Sequence, residues 1–278
     1  MLNFFKTPEV VQTSTADNIF ESFHWVIDNF DASTFINHTQ LVLPNSTFFP
    51  DRTNNEFDMA KALCQRILEH SGLTHWPFEM VPQEQFHQNA PPLLALDCST
   101  RPYAPGEETA KEIAATNSEP LLLSYSSTMM KKPMDLVASM SNLVAQHFLV
   151  QSRQIPPAGP ESFNETAELI SIFMGFGVIV ANSAYTFRGS CASCYDPRAN
   201  RPAALSENEA VFALALFTLL KDIPASRATA DLKPYLRGTF KKSIKQIKAN
   251  ETAYQALQDK LAQHTVITND SASTPSIH

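Results

Sequence analysis

A mostly helical α+β fold with a small sheet is predicted by three features of this 278-residue sequence. Apolar residues recur at spacings of three and four through several long segments, which is the helical period. Helix start and stop signals bracket those segments. Strand-like runs are few and short.

Residues 15–30 carry Ile19, Phe20, Phe23, Val26, Ile27 and Phe30, so an amphipathic helix with one buried face is expected. Thr39 to Leu43 is a short β-prone run, and PNSTFFPD after it signals a loop. A second helix is expected from about Glu56 to Ser71, with Gly72 as its stop. From Trp76 to Pro120 the chain reads as irregular, with a possible strand at Leu93 to Leu96. Leu121 to Tyr125 reads as a strand, and Pro133 sits near the start of a helix running to about Ser152.

Thr166 to Tyr185 reads as a long apolar helix that crosses the core. Its most apolar part, Leu169 to Ala181, is interrupted by Ser171, Gly175 and Gly177. It is shorter than the roughly 20 residues a membrane-spanning helix requires. Ser206 and Glu209 form a capping box before the apolar run Ala210 to Leu220. One final helix is expected from Pro234 to about Gln263. The expected organisation is a single domain over residues 1–264 with a disordered tail over 265–278.

An apolar content of 44% suffices for a substantial core, and a net charge of −7 gives no general attraction to nucleic acid or anionic lipid. The opening MLNFFKTPEVVQ lacks the apolar run of a secretory signal, and four cysteines are too few for a disulfide scaffold, so a cytoplasmic setting is expected. The chain contains no G-x-x-x-x-G-K-[ST], G-x-G-x-x-G or G-x-S-x-G sequence, and seven glycines equip it poorly for phosphate-cradling loops.

In the helix after Leu121 to Tyr125, Asn142 and Gln146 lie one turn apart beside an apolar face of Leu136, Met140, Leu143 and Val144. A helical catalytic zinc site uses that i, i+4 spacing for two histidines, with a glutamate after the first to activate water. Here the segment reads Asn142-Leu143-Val144-Ala145-Gln146.

The strand, the link TMMKKPMDLVASMS and this helix resemble zinc metallopeptidases of the gluzincin type. The following ESFNETAELISIFMGFGVIVANS resembles bacterial proteins of unassigned function with a similar core helix. The resemblance covers about residues 120–220 and implies a zincin-like core of helices. It places the first ligand at Asn142, the base at Leu143 and the second ligand at Gln146. The third ligand position falls on Asn164 or Glu165, with Glu168 as a supporting acid. The departure lies in the defining residues: amides are poor zinc ligands and leucine moves no proton. The implied protein is a non-catalytic binding or interaction module for a protein or peptide partner, without a cofactor. An ordinary helix face, on which Asn142 and Gln146 meet backbone groups or water, is the alternative.

Other candidates carry bland readings beside sharp ones. Cys191-Ala-Ser-Cys194 has the spacing of half a zinc site or a redox pair, yet lacks a second ligand pair, and incidental loop thiols explain it as well. A metal-dependent hydrolase with a site rebuilt from His147, Glu165 and Glu168 is a second functional alternative, although His147 is expected to turn toward the core. The remaining histidines show no ligand spacing. Lys233, Arg237, Lys241, Lys242, Lys245 and Lys248 form a positive run with few aromatics among them, which reads as a solvated helix face rather than a nucleic-acid surface.

Overall fold

The computed structural model describes residues 9–30, 32–82, 85–86, 91–94, 119–184 and 201–272, with side chains through residue 264. Ten helices, among the described residues, surround one contiguous apolar core that runs from Val11 to Leu261. A two-stranded parallel sheet lies at its margin.

Helix α1 (Thr13–Asn29) buries Ile19, Phe20, Phe23, Val26 and Ile27, the stripe that its spacing predicts. Helix α2 (Ala32–Asn37) places Phe35 in the core, where its ring stacks on Phe173 at 4.2 Å between centroids. Phe23 meets the same Phe173 edge-on at 6.0 Å. Helix α3 (Glu56–Ser71) starts where the Asn55 side chain accepts a hydrogen bond from the Asp58 N–H, and it stops at Gly72 in the left-handed conformation.

Strand β1 (Phe78–Pro82) pairs in parallel with β2 (Leu121–Tyr125), Phe78 opposite Leu121. The sequence predicts β2 but reads as irregular where β1 forms. A five-residue strand with Glu79 exposed and Pro82 at its end carries little of the alternation that marks a strand. A 3-10 turn (Ser127–Lys131) then leads to helix α4 (Pro133–Ser152), with proline in its first turn. Leu136, Met140, Val144 and Phe148 form its buried stripe, and it packs on β2, α3, α5 and α6.

The long apolar helix is interrupted. Helix α5 (Phe163–Ser171) passes through a π-helical turn (Ile172–Phe176) into α6 (Gly177–Ser183). Gly175 lies at φ +105, and a Cβ there would collide with the Gln40 carbonyl oxygen. Its own carbonyl accepts a hydrogen bond from the Val42 N–H at 2.9 Å. Thr39 to Leu43, expected as a strand, therefore pairs with no strand among the described residues and is pinned to the break in the core helix. Leu93 and Leu94 also lie outside any strand, and Ala95 and Leu96 fall outside the described residues. By length and composition Pro160–Ser183 is apolar enough to cross a membrane, but its apolar stretch, residues 166–183, is buried inside the fold.

Helix α7 (Glu207–Leu220) opens with both hydrogen bonds of the expected capping box. Where it packs on α6, a Cβ on Gly177 would approach the Leu214 side chain to 2.8 Å. Lys221, just beyond α7, donates to the carbonyls of Phe35 and Ile36, and burial lowers its ammonium to about 8. After a short helix α8 (Ala225–Ala230), the C-terminal segment differs from the single helix expected. It forms α9 (Leu236–Ala249) and α10 (Glu251–Ala272), separated at Asn250. The helical backbone of α10 continues through Ala272, and residues 273–278 of the expected tail lie outside the described residues.

Gly175→Ala should test the interruption directly. Strain of about 1–2 kcal/mol at positive φ adds to overpacking of about 1–3 kcal/mol, so a loss of about 2–5 kcal/mol is expected in equilibrium urea unfolding. A loss below about 1 kcal/mol would mean that the contact with residues 40–42 does not constrain the core helix.

Candidate functional site

Helix α4 projects Ser139, Asn142, Leu143 and Gln146 from one stripe, because positions i, i+3, i+4 and i+7 share a helix face. That stripe forms one wall of a cavity of about 230 Å³. The end of β2 contributes Ser124 and Tyr125, the 3-10 turn contributes Met129, and Arg201 and Pro202 close the remaining side. Asn142, Leu143 and Gln146 are half-buried, so this is a recess in the surface rather than the interior of the core.

Two residues that line the cavity each carry a buried polar atom without a protein partner among the described residues, the Asn142 Oδ1 acceptor and the Arg201 Nε–H donor. Buried groups of this kind are normally satisfied by protein, solvent or ligand. Strand geometry adds a polar group beside them. In a parallel ladder the N–H and C=O of a residue point to the same side, and alternate residues point to opposite sides. Leu121 donates its N–H to Pro77, so Leu121, Leu123 and Tyr125 face β1. Leu122 and Ser124 face the other way. The Leu122 carbonyl is taken by His147 Nε2 at 3.1 Å, and Ser124, on the same side of the strand, lines the cavity.

Glu168 lies on α5 with its side chain wholly enclosed, paired with Arg201. The second carboxylate oxygen accepts the Leu205 N–H at 2.9 Å, and Arg201 also donates to the Ser183 hydroxyl at 3.3 Å. Burial raises the Glu168 carboxyl above its ordinary range, against the opposing pull of Arg201 and of the backbone donors at Ala204 and Leu205. Burial likewise lowers Arg201, which also feels the charge of Asp135 in the first turn of α4.

The other ligand positions implied by the resemblance separate from this arrangement. Asn164 and Glu165 are exposed on the first turn of α5. His147 is buried against the edge of Phe78, with Nε2 on the strand and Nδ1 without a partner among the described residues. Burial therefore depresses its imidazole below the ordinary value, the hydrogen bond to Leu122 opposing in part. His147, Glu165 and Glu168 do not form a cluster, and no three His, Cys, Asp or Glu side chains among the described residues are grouped to hold a metal. Cys191 and Cys194 lie outside the described residues. Cys64 is buried on α3, where desolvation pushes its thiol up to about 12 and makes it a poor nucleophile.

Arg201 is the site residue that sequence reasoning missed. A signal for it existed: Glu168 sits in an otherwise apolar helix, and a buried carboxylate requires a cation or several N–H donors. Nothing in the spacing identified which arginine answers that demand.

The chain matches no protein-family model, no curated protein and no solved structure.

Arg201→Met leaves Glu168 enclosed without its cation and is expected to cost about 3–5 kcal/mol at pH 7. The cost should shrink as the pH falls, because a carboxyl with a raised folded-state pKa binds its proton more tightly in the fold than in the unfolded chain. Urea unfolding of both proteins at pH 5 and pH 7 measures this, and a pH-independent difference would rule it out. His147 has the opposite sign. Its folded-state pKa is depressed, so the unfolded chain binds the proton first, and stability is lost as the pH falls below about 6.5. His147→Gln retains a donor for Leu122 and should flatten the slope of stability between pH 7 and pH 5.

Proposed function

We propose that this is a non-catalytic, metallopeptidase-like protein whose cavity beside Asn142 and Gln146 binds an extended peptide segment of a partner. The observation that carries the reading is the recess itself, which lies on the helix stripe where the resemblance to gluzincin-type enzymes puts metal and water. An ordinary solvated helix face gives no reason for a recess there.

The chemistry of the lining supports binding over hydrolysis. The two ligand positions carry amides and the base position carries leucine, none of which activates water. Glu168 is committed to Arg201 and to the Leu205 N–H, so its oxygens are occupied. The amides of Asn142 and Gln146 carry donors and acceptors, and the Ser139 hydroxyl, which donates to Met129 Sδ at 3.6 Å, keeps its acceptor capacity, which complements the alternating groups of a peptide backbone. On this reading the zincin-like resemblance describes an inherited frame, and the protein works in a reducing, cytoplasmic setting.

A displayed library of unstructured peptides, panned against the full chain, tests the proposal. Enriched peptides should bind wild type and lose about tenfold or more in affinity, equivalent to about 1.4 kcal/mol, when Ser139→Trp fills the recess. The thermal midpoint of the variant establishes that it remains folded. Elemental analysis of protein purified without added metal gives the opposing outcome. Stoichiometric zinc, together with peptide cleavage abolished by chelation, would overturn the non-catalytic reading. Repeating the analysis on Cys191→Ser/Cys194→Ser separates zinc held by the cysteine segment from zinc held at the recess.

A further inference from the structure

On the other side of Leu136 lies a larger cavity, of about 460 Å³, between α3, residues 44–52 and the start of α4. Its walls are apolar: Met59 and Leu63 from α3, Met130 and Met134 on either side of Pro133, Ile179 from α6, and Phe49. The volume falls in the roughly 300–1,000 Å³ range of small-molecule sites. Three methionines give the walls side chains that reshape readily around an apolar guest.

The mouth is polar and its charges are unequal in availability. Asp51 is held by Arg66, whose Nε and second guanidinium nitrogen donate to it at 2.8 and 3.2 Å, and that pairing keeps its carboxyl below the ordinary range. Arg66 also binds Glu69 at 2.8 Å. Arg52, the next residue along, is exposed and meets no carboxylate among the described residues. Asn45 and Ser46 stand at the same opening. The mouth therefore presents one uncommitted cation beside one neutralised anion.

We infer that this cavity binds a small amphipathic carboxylate, with its alkyl or alkyl-aryl chain among the methionines and its carboxylate at Arg52. A single cation with the Asp51 carboxylate next to it suits a monoanion and disfavours a phosphate dianion. An amine headgroup finds no free anion there, because Arg66 already occupies Asp51. The site is separate from the recess beside Asn142, so either proposal can fail without the other.

Decanoate, kept below its micellar concentration, is titrated calorimetrically into the full chain alongside decanol and decylamine. Expected are one-to-one binding of decanoate, weaker binding of decanol and weakest binding of decylamine. Arg52→Gln changes an exposed side chain, so the fold is kept, and it should weaken decanoate about fivefold, the scale of an exposed ion pair, while leaving decanol unchanged. Met59→Trp narrows the cavity and should weaken decanoate and decanol together. Absence of saturable binding would overturn the inference. So would equal affinity for the three probes, equal loss of decanoate and decanol in Arg52→Gln, or a signal explained by self-association of the protein in light scattering. If Met59→Trp fails to fold, the comparison of probes on Arg52→Gln still decides.

Discussion

Glu168 and Arg201 form a buried ion pair on which several otherwise unrelated parts of the chain converge. Glu168 belongs to the helix through the middle of the core, and Arg201 belongs to the segment that leads into α7. Their contact, with the Leu205 N–H on the second carboxylate oxygen, fixes where α7 begins relative to α5. The same guanidinium reaches the Ser183 hydroxyl at the end of α6 and lines the recess beside α4. Isolated, either charge would be several kcal/mol too costly to enclose. Together they are tolerable, and apolar replacements of similar volume could pack as well, so the pair specifies an arrangement more than it adds stability.

Helix α4 is the second organising element, because it divides the two cavities. Leu136, almost fully enclosed, touches both, and the residues around it set their contrasting character. The side toward α3 carries Met134 and Val137, and the side toward β2 carries Ser139, Asn142 and Gln146. Most residues of α4 are buried, Asp135, Ser141, His147 and Gln151 among them, so polar and apolar side chains are not sorted onto an outer and an inner face and the helix has little amphipathic contrast along its length.

The features legible in the sequence are those written in local chemistry. The Gly72 stop, the Ser206–Glu209 capping box, the α1 stripe and the proline at the start of α4 each depend on residues within a turn or two of one another. The features that were not legible depend on distant contacts. Gly175 gives no sign in the sequence that a carbonyl from residue 40 will occupy the space where its side chain would be, so the long apolar helix looks continuous. Thr39 to Leu43 has strand composition, but its partner among the described residues is a broken helix instead of a strand. Asn250 ends one helix and precedes another without proline or glycine to mark the joint. At the candidate site the stripe of Asn142, Leu143 and Gln146 was visible from spacing alone, while Arg201 became visible only once the fold had brought residue 201 to residue 168.

The proposed loss of catalysis follows from the same stripe. Imidazole offers a metal a strong nitrogen donor on a side chain whose other nitrogen can be held by a neighbour, whereas the amides of Asn142 and Gln146 offer weak carbonyl donors and N–H groups that repel a cation. Those same properties favour peptide recognition, since an amide pairs with another amide through one donor and one acceptor. On the proposed reading, leucine at 143 supplies no base, and the three positions act in one direction: the residues that leave the recess without a means to activate water are ones suited to an uncharged, hydrogen-bonding segment.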